Sequence, residues 1–442
     1  MKRDILEKLR KWKDKPDRKP LILSGARQVG KTYVLKEFGS TFFPKYHYFN
    51  FEKNKELHKI FEVNLDPQRI IQELGIFINA SINIKNDLIV FDEIQECPKS
   101  LTSLKYFCEE MPDLAICSAG SLLGVLLGES SFPVGKVDSL YMYPLSFFEF
   151  LLGIGEDKLY DFLLHFKHGQ EISAFIHSKV WDKVKLYFIV GGLPEVINKF
   201  NENKHDLFKA FLVARETQEN LINFYLADIA KHSGKVNSMH IDRVLRNIPA
   251  QLAREQDGGA SRFKFKGILP DLERYSRLSG VIDWLENAKL IIKVQIASKA
   301  NLPLSAYTKE NIFKLYIFDV GILGALSNLS PNVIFDYNYG TYKGYFAENF
   351  IAQEFLSSGV HKLYSWAEGQ AEIEFLRDVD GNSIPIEVKS GWVTQSKSLK
   401  VFMQKYNPQF GTIMSAKNYF FDKKKNVAEY PLYLASRFPI KV

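Results

Sequence analysis

Two glycines, a lysine and a threonine at fixed spacing carry the first chemistry in this chain: Gly25-Ala-Arg-Gln-Val-Gly-Lys31-Thr32. Such a loop can curl its backbone N–H groups around a phosphate, because glycine has no side chain to block the approach. The lysine reaches the terminal phosphates of a nucleotide, and the next hydroxyl can ligand Mg²⁺. Gly25, Ala26, Arg27, Gln28, Val29, Gly30, Lys31, Thr32 and Tyr33 are therefore the candidate nucleotide contacts. A second pattern follows at Leu88-Ile-Val-Phe-Asp92-Glu93, an apolar run ending in two carboxylates. Asp92 would hold the Mg²⁺ shell beside Thr32, and Glu93 would polarise the attacking water. A glycine-rich turn and a surface acid are the bland readings, and each loses weight when both patterns share one chain.

These residues need rigid support. Leu21-Ile-Leu ahead of the loop reads as a buried strand, and Tyr33 to Phe38 as the helix behind it, with Gly39 as its stop. Residues up to about Lys19 read as a basic amphipathic helix with Ile5, Leu6, Leu9 and Trp12 on one side. Tyr46 to Phe51 suits an aromatic-rich strand, and Asp66-Pro-Gln-Arg a capped helix start. The unbroken apolar run before Asp92 is what a parallel strand buried on both faces requires, and acids at its end lie where open α/β sheets bind ligands. Leu114-Ala-Ile-Cys-Ser118-Ala-Gly-Ser121 is the next such run. Strand and helix alternate to about residue 150, so the fold class is α/β with a parallel, doubly wound sheet.

Together with Phe91-Asp-Glu-Ile-Gln95, Ala119-Gly-Ser121, Tyr143-Pro-Leu-Ser-Phe-Phe-Glu149 and Gly191-Gly-Leu-Pro-Glu195, the loop resembles prokaryotic AAA-type ATPases. In these an ATPase domain precedes a shared C-terminal domain of unassigned function. Further matches stand at Lys314-Leu-Tyr-Ile-Phe-Asp-Val-Gly321, Gly344-Tyr-Phe-Ala-Glu348-Asn349 and Ile386-Glu-Val-Lys-Ser-Gly391. The resemblance spans nearly the whole chain and implies an intracellular protein that binds ATP with Mg²⁺. In such ATPases the strand after the acidic pair carries a polar residue that senses the terminal phosphate. Ser118 and Ser121 are the candidates, with a turn-forming serine as the competing reading. The family pattern tends to carry Arg where Val134-Gly-Lys136 stands. Lys136 keeps the charge but not the planar fork, so it is either a weakened finger or sensor, or a surface lysine without catalytic consequence. A finger acting in trans would require a homo-oligomer.

Residues 155–230 read as helices without chemistry. Between Met239 and Val294, short helices lead to one near Arg277 to Glu286 and then a strand pair, with Arg243, Arg246 and Arg274 nearby; this resembles a winged helix-turn-helix. The DNA-binding version sets that helix in a major groove, whereas Val281, Ile282, Trp284 and Leu285 favour packing or protein contact. The last third predicts the order α, β, β, β, α, β, with Glu348 on its first helix. In its hairpin Glu372 and Glu374 share one face, as do Glu387 and Lys389. Helix, acidic strand and Glu-x-Lys strand is the pattern of restriction-endonuclease-like folds. Glu348, Glu374 and Glu387 are then candidate ligands of a second metal, and Glu374, Glu387 and Lys389 candidate catalytic groups of a nuclease-like site. Glu374 stands where Asp is usual, and a solvated face of mixed charge is the competing reading.

At 442 residues the chain exceeds one compact core. The expected parts are an AAA-type ATPase domain over 1–200, a mostly helical winged-helix-like region over 201–305 and a small α+β restriction-endonuclease-like domain over 306–442. Cys97, Cys108 and Cys117 show no metal-ligand spacing and read as free thiols. No membrane-crossing run or signal peptide is evident, which suits a cytoplasmic protein. The net charge is +7, and Lys and Arg outnumber Asp and Glu in residues 231–299 and again in 389–442. That excess suits DNA or RNA as a partner, and equally a solvated surface. Two functions follow: an ATPase coupled to nucleic-acid binding or processing, or a nucleotide switch on a protein partner with an inert nuclease-like domain.

Overall fold

The computed structural model describes residues 1–121, 132–254, 262–268, 275–340, 342–392 and 396–440. Its contacts form two compact units. One comprises Lys2–Tyr143 with Asn287–Lys289; the other comprises Met1, Pro144–Glu286 and Leu290–Val442. Residues 144–200, assigned above to the ATPase part, thus pack within the second unit.

The first unit is built on β1 (Leu21–Ser24), β2 (Tyr46–Asn50), β3 (Leu88–Asp92), β4 (Ala115–Gly120) and β5 (Asp138–Tyr141), in the order β2-β3-β4-β1-β5. Every pairing is parallel. The apolar runs explain this directly. Strands β3 and β4 are buried along their whole length, and Phe49, Phe51, Phe61, Phe91, Leu104 and Phe107 pack in one core with the helices Leu57–Val63, Pro67–Phe77 and Pro98–Glu110. The first helix, Ile5–Lys13, buries Ile5, Leu9 and Trp12 as its amphipathic pattern predicts, but stops well before Lys19. The helix behind the loop, Lys31–Phe42, does not stop at Gly39. A Cβ on Gly39 would lie 2.7 Å from the Tyr46 side chain, so this glycine lets β2 approach the helix instead of ending it.

The second unit combines helices with an eight-stranded mixed sheet. Its strands are β6 (Ile291–Ala297), β7 (Thr308–Ile317), β8 (Leu363–Glu368), β9 (Ala371–Val379), β10 (Asn382–Val388), β11 (Gly411–Ser415), β12 (Phe420–Asp422) and β13 (Val427–Pro431). They lie in the order β12-β13-β11-β10-β9-β8-β6-β7. From the helix Tyr342–Ser357 to β11 the elements follow the expected order, and β12 and β13 extend it. The strand pair after the helix Tyr275–Asn287 is not a separate wing. It is β6 and β7, at one edge of this sheet, with β6 parallel to β8. The boundary drawn at 305 falls inside that hairpin. The helix buries Leu278, Val281, Ile282 and Leu285, while Asp283 and Asn287 face outward. Arg243 is exposed and Arg246 pairs with Asp242 at 2.7 Å; Arg274 and the Arg277 side chain lie outside the described residues.

The matched motifs beyond the loop have structural work in this unit. Asn349 accepts from Ile317 N–H and donates to Ile317 C=O, both at 2.8 Å. Asp319 is fully buried, caps the helix Val320–Leu326 by accepting from Ile322 N–H at 3.0 Å, and accepts from Gly192 N–H at 2.6 Å. Burial lifts its carboxyl to about 6, against the pull of those N–H donors. Gly191 must be glycine: its φ is 73° and a Cβ would stand 2.2 Å from Asp319 Oδ1. No helix among the described residues is long and apolar enough to cross a membrane, and the three cysteines are free.

Gly191→Ala therefore lowers stability by roughly 2–4 kcal/mol, combining a left-handed backbone with a clash against a buried carboxylate. Urea unfolding checks this; an unchanged midpoint would contradict the Gly191–Asp319 packing.

Candidate functional site

The loop Gly25–Gly30 leaves β1 after the half-buried Ser24 and enters the helix Lys31–Phe42. Its first glycine is forced by space, since a Cβ on Gly25 would lie 2.2 Å from the Met142 carbonyl oxygen. Arg3, itself buried, supports the loop by donating Nη1 to Val29 C=O at 2.8 Å. Gln28 adopts a positive φ of 63°, a conformation that costs a non-glycine residue about 1 kcal/mol and turns the loop sharply. Lys31 is buried, and its Nζ donates to Gly25 C=O at 2.9 Å and Ala26 C=O at 2.8 Å. Burial lowers its ammonium to about 8, although Glu93 and Asp92 pull upward. Tyr33, the last expected contact, is exposed on the first turn of the helix.

Asp92 is the hub. Thr32 Oγ1 donates to Asp92 Oδ2 at 2.9 Å, and the Tyr48 hydroxyl donates to the same oxygen at 2.5 Å. Asn50 Nδ2 lies 3.4 Å from that oxygen, and Glu93 N–H donates to Oδ1 at 3.2 Å. Thr32 and Asp92, expected to share a metal, are thus brought together. The donor set fits Mg²⁺: a hydroxyl and a carboxylate on facing elements, beside a buried cation that calls for an anion. Tyr48 and Asn50 were not singled out above. Their signal was positional, two polar groups on one face of β2 at the strand end, opposite β3. Glu93 has φ 50°, strained for a non-glycine residue, and accepts from Gln95 Nε2. Burial raises its carboxyl above the usual range, with Gln95 and Lys31 opposing. That suits a proton acceptor.

The sensor candidates separate. Ser118 lies within β4 opposite Phe91, fully buried, with no hydrogen-bond partner for its Oγ among the described residues. Ser121 lies just past the strand end, where its Oγ accepts from Arg27 Nε at 3.2 Å. Lys136 pairs with Glu109 at 2.9 Å on the surface.

In the second unit Glu348, Glu374, Glu387 and Lys389 gather with two further groups. Lys314, buried in β7, touches Glu372 and stands 4.0 Å from Glu348, which accepts from the Tyr316 hydroxyl at 2.7 Å. Lys389 pairs with Glu387 at 2.6 Å, and Glu374 accepts from Val388 N–H at 3.1 Å. Burial raises the Glu374 carboxyl well above its usual range, with Glu387 and Glu348 adding to the rise. The Lys314 ammonium resists burial because Glu372, Glu348 and Glu374 hold it charged. Glu348, Glu374 and Glu387, the expected metal set, therefore lie in one cluster with Lys314 and Lys389. Among the described residues, no three His, Cys, Asp or Glu side chains are placed to hold a metal ion. Two lysines instead take up the acidic charge. Lys314, quoted above as the start of a matched motif, was given no role in this cluster, although a single lysine in Ile312-Phe313-Lys314-Leu315-Tyr316 is a visible anomaly.

Comparison with known proteins agrees with the first unit. Residues 17–151 match an AAA domain. Residues 182–333 and 343–433 match two domains of unknown function, DUF8612 and DUF4143. No curated protein matches the sequence. Among solved structures, the chain is similar to the Walker-type ATPase Paby2304 of Pyrococcus abyssi at 17% identity and TM-score 0.45, over 72% of this chain and 94% of that one. It is also similar to the ORC1 protein of Aeropyrum pernix, solved in complex with DNA, at 13% identity and TM-score 0.25, over 73% of this chain and 90% of that one.

The low Lys31 value sets a pH dependence. A bound phosphate favours the ammonium, so the lysine pKa is higher with nucleotide than without. Affinity is then full below about 8 and falls as pH rises through that value, by up to about tenfold per unit. Calorimetry in two buffers of different ionisation heat should show proton uptake on ATP binding at pH 9. Unchanged affinity and no uptake would contradict the assignment.

Proposed function

We infer that this AAA-domain chain binds Mg–ATP at Gly25–Tyr33 and hydrolyses it by water attack on the terminal phosphate. One observation carries the reading: Thr32 Oγ1 meets Asp92 Oδ2 at 2.9 Å, one residue beyond the buried Lys31. A hydroxyl and a strand-end carboxylate are the pair that shares a hydrated Mg²⁺ in phosphate-loop enzymes. When bound, the ion neutralises phosphate charge. Lys31 exchanges its two loop carbonyls for phosphate oxygens, which are stronger acceptors for an ammonium. Tyr48 and Asn50 fix the Asp92 carboxylate, so little reorganisation remains on binding. Glu93 accepts a proton from water as the water oxygen bonds to phosphorus; the bond to the bridging oxygen breaks, and ADP leaves with its electron pair.

For the second unit, the observation favouring nucleic acid is Lys389, partly exposed beside Glu387 and near Glu374 on the adjacent strand. A cation at the mouth of an acidic cluster suits a phosphodiester and its metal. The rival reading, an inert cluster in a nucleotide-dependent switch on a protein partner, is favoured by Lys314, which neutralises Glu372 and Glu348 from within.

Lys31→Ala should abolish ATP binding in a calorimetric titration. Glu93→Gln should keep binding and release phosphate on the order of a hundredfold more slowly; equal turnover would overturn its role. With supercoiled plasmid and Mg²⁺ or Mn²⁺, the nuclease reading expects nicking by wild type and none by Lys389→Ala. No nicking by either would leave the switch reading in its place.

A further inference from the structure

ATP hydrolysis gains from positive charge on the terminal phosphate beyond the loop lysine, and Lys136 is one candidate for supplying it. Lys136 forms a surface ion pair with Glu109 on the helix Pro98–Glu110. A different cation is already at the site. Arg27 stands within the loop itself, and the sheet order explains where it goes. Strand β4 lies between β1 and β3, so a side chain leaving the β1 end must cross the end of β4 to approach the acidic pair. Arg27 does so: its Nε donates to Ser121 Oγ at 3.2 Å, and Ser121 is the first residue past β4 and is itself buried. Arg27 thus shares the loop with Lys31 and is held at the end of β4, the strand that lies next to β3 and its terminal Asp92.

We propose that Arg27 is a catalytic residue that acts in cis, its guanidinium contacting the terminal phosphate as charge develops there, with Ser121 as its positioning residue. This rests on the ATPase reading above and adds to it that the charge comes from within one chain. A planar fork can donate to two phosphate oxygens at once, which an ammonium cannot. Ser121 fixes the fork beforehand, so less ordering is left for the moment of reaction. The assignment also accounts for Lys136 being free to serve as a surface charge. Hydrolysis then needs no second protomer, and specific activity does not depend on protein concentration.

The test compares wild type, Arg27→Ala, Arg27→Lys and Ser121→Ala for phosphate release and for affinity toward ADP alone and ADP with aluminium fluoride, each variant first checked for an unchanged melting temperature. Arginine fingers contribute about 10³–10⁵ in rate, so Arg27→Ala should lose at least about a hundredfold in turnover. It should lose a similar factor in affinity for the fluoride complex, while ADP affinity changes only a few-fold. Arg27→Lys should recover part of the loss, and Ser121→Ala should fall between wild type and Arg27→Ala. Unchanged turnover in Arg27→Ala, or equal losses for ADP and the fluoride complex, overturns the inference and leaves the ATPase reading intact. Wild-type protein that binds ATP but releases no phosphate overturns both.

Discussion

A lysine ammonium buried against carbonyl oxygens is poorly compensated, and the first unit is arranged around that condition at Lys31. Carbonyl dipoles satisfy its hydrogen bonds but supply no net charge, so its ammonium sits near 8. What would complete the site is an anion. The fully apolar β3 and β4 anchor the surroundings in the sheet core, and the parallel order brings the end of β3 across from the loop. Asp92 then lies within reach of Thr32, and Tyr48 holds it from β2. The same geometry that leaves the lysine short of charge aligns a hydroxyl and a carboxylate for a divalent ion.

The second unit meets the same problem with the opposite sign. Several carboxylates are wholly or partly buried along β9, β10 and the helix Tyr342–Ser357, and loss of solvent raises Glu374 and Glu348 above their usual range. Here the chain supplies its own countercharge through Lys314 and Lys389. That difference separates the two sites chemically. Lys31 donates to carbonyl oxygens, whereas two lysines form ion pairs within the acidic cluster itself.

Much of this was legible in the sequence because short-range rules governed it. The loop, its flanking strand and helix, the Asp92–Glu93 strand end and the order of elements from Tyr342 to Ser415 all follow from local pattern. Gly39 was misread because its role is a tertiary contact with Tyr46, and a glycine near a helix end resembles a stop. The strand pair β6–β7 was misread for a similar reason. Local sequence specifies a hairpin, but not that β8, arriving much later in the chain, pairs with β6 and makes it part of a larger sheet. Partners of charged groups were the least legible. Neither Tyr48 beneath Asp92 nor Lys314 among the glutamates is marked by any spacing rule, since strand register brings both into place.

The central claim is that the loop and the strand end form one Mg–nucleotide site. The Mg²⁺ dependence of ATP affinity in wild type and in Asp92→Ala tests it most directly, measured by calorimetry with and without chelator. The account predicts that Mg²⁺ tightens ATP binding by roughly tenfold or more in wild type, equivalent to about 1.4 kcal/mol, and has little effect in the variant. Equal affinity with and without Mg²⁺ in wild type, or the same Mg²⁺ effect in both proteins, would contradict it.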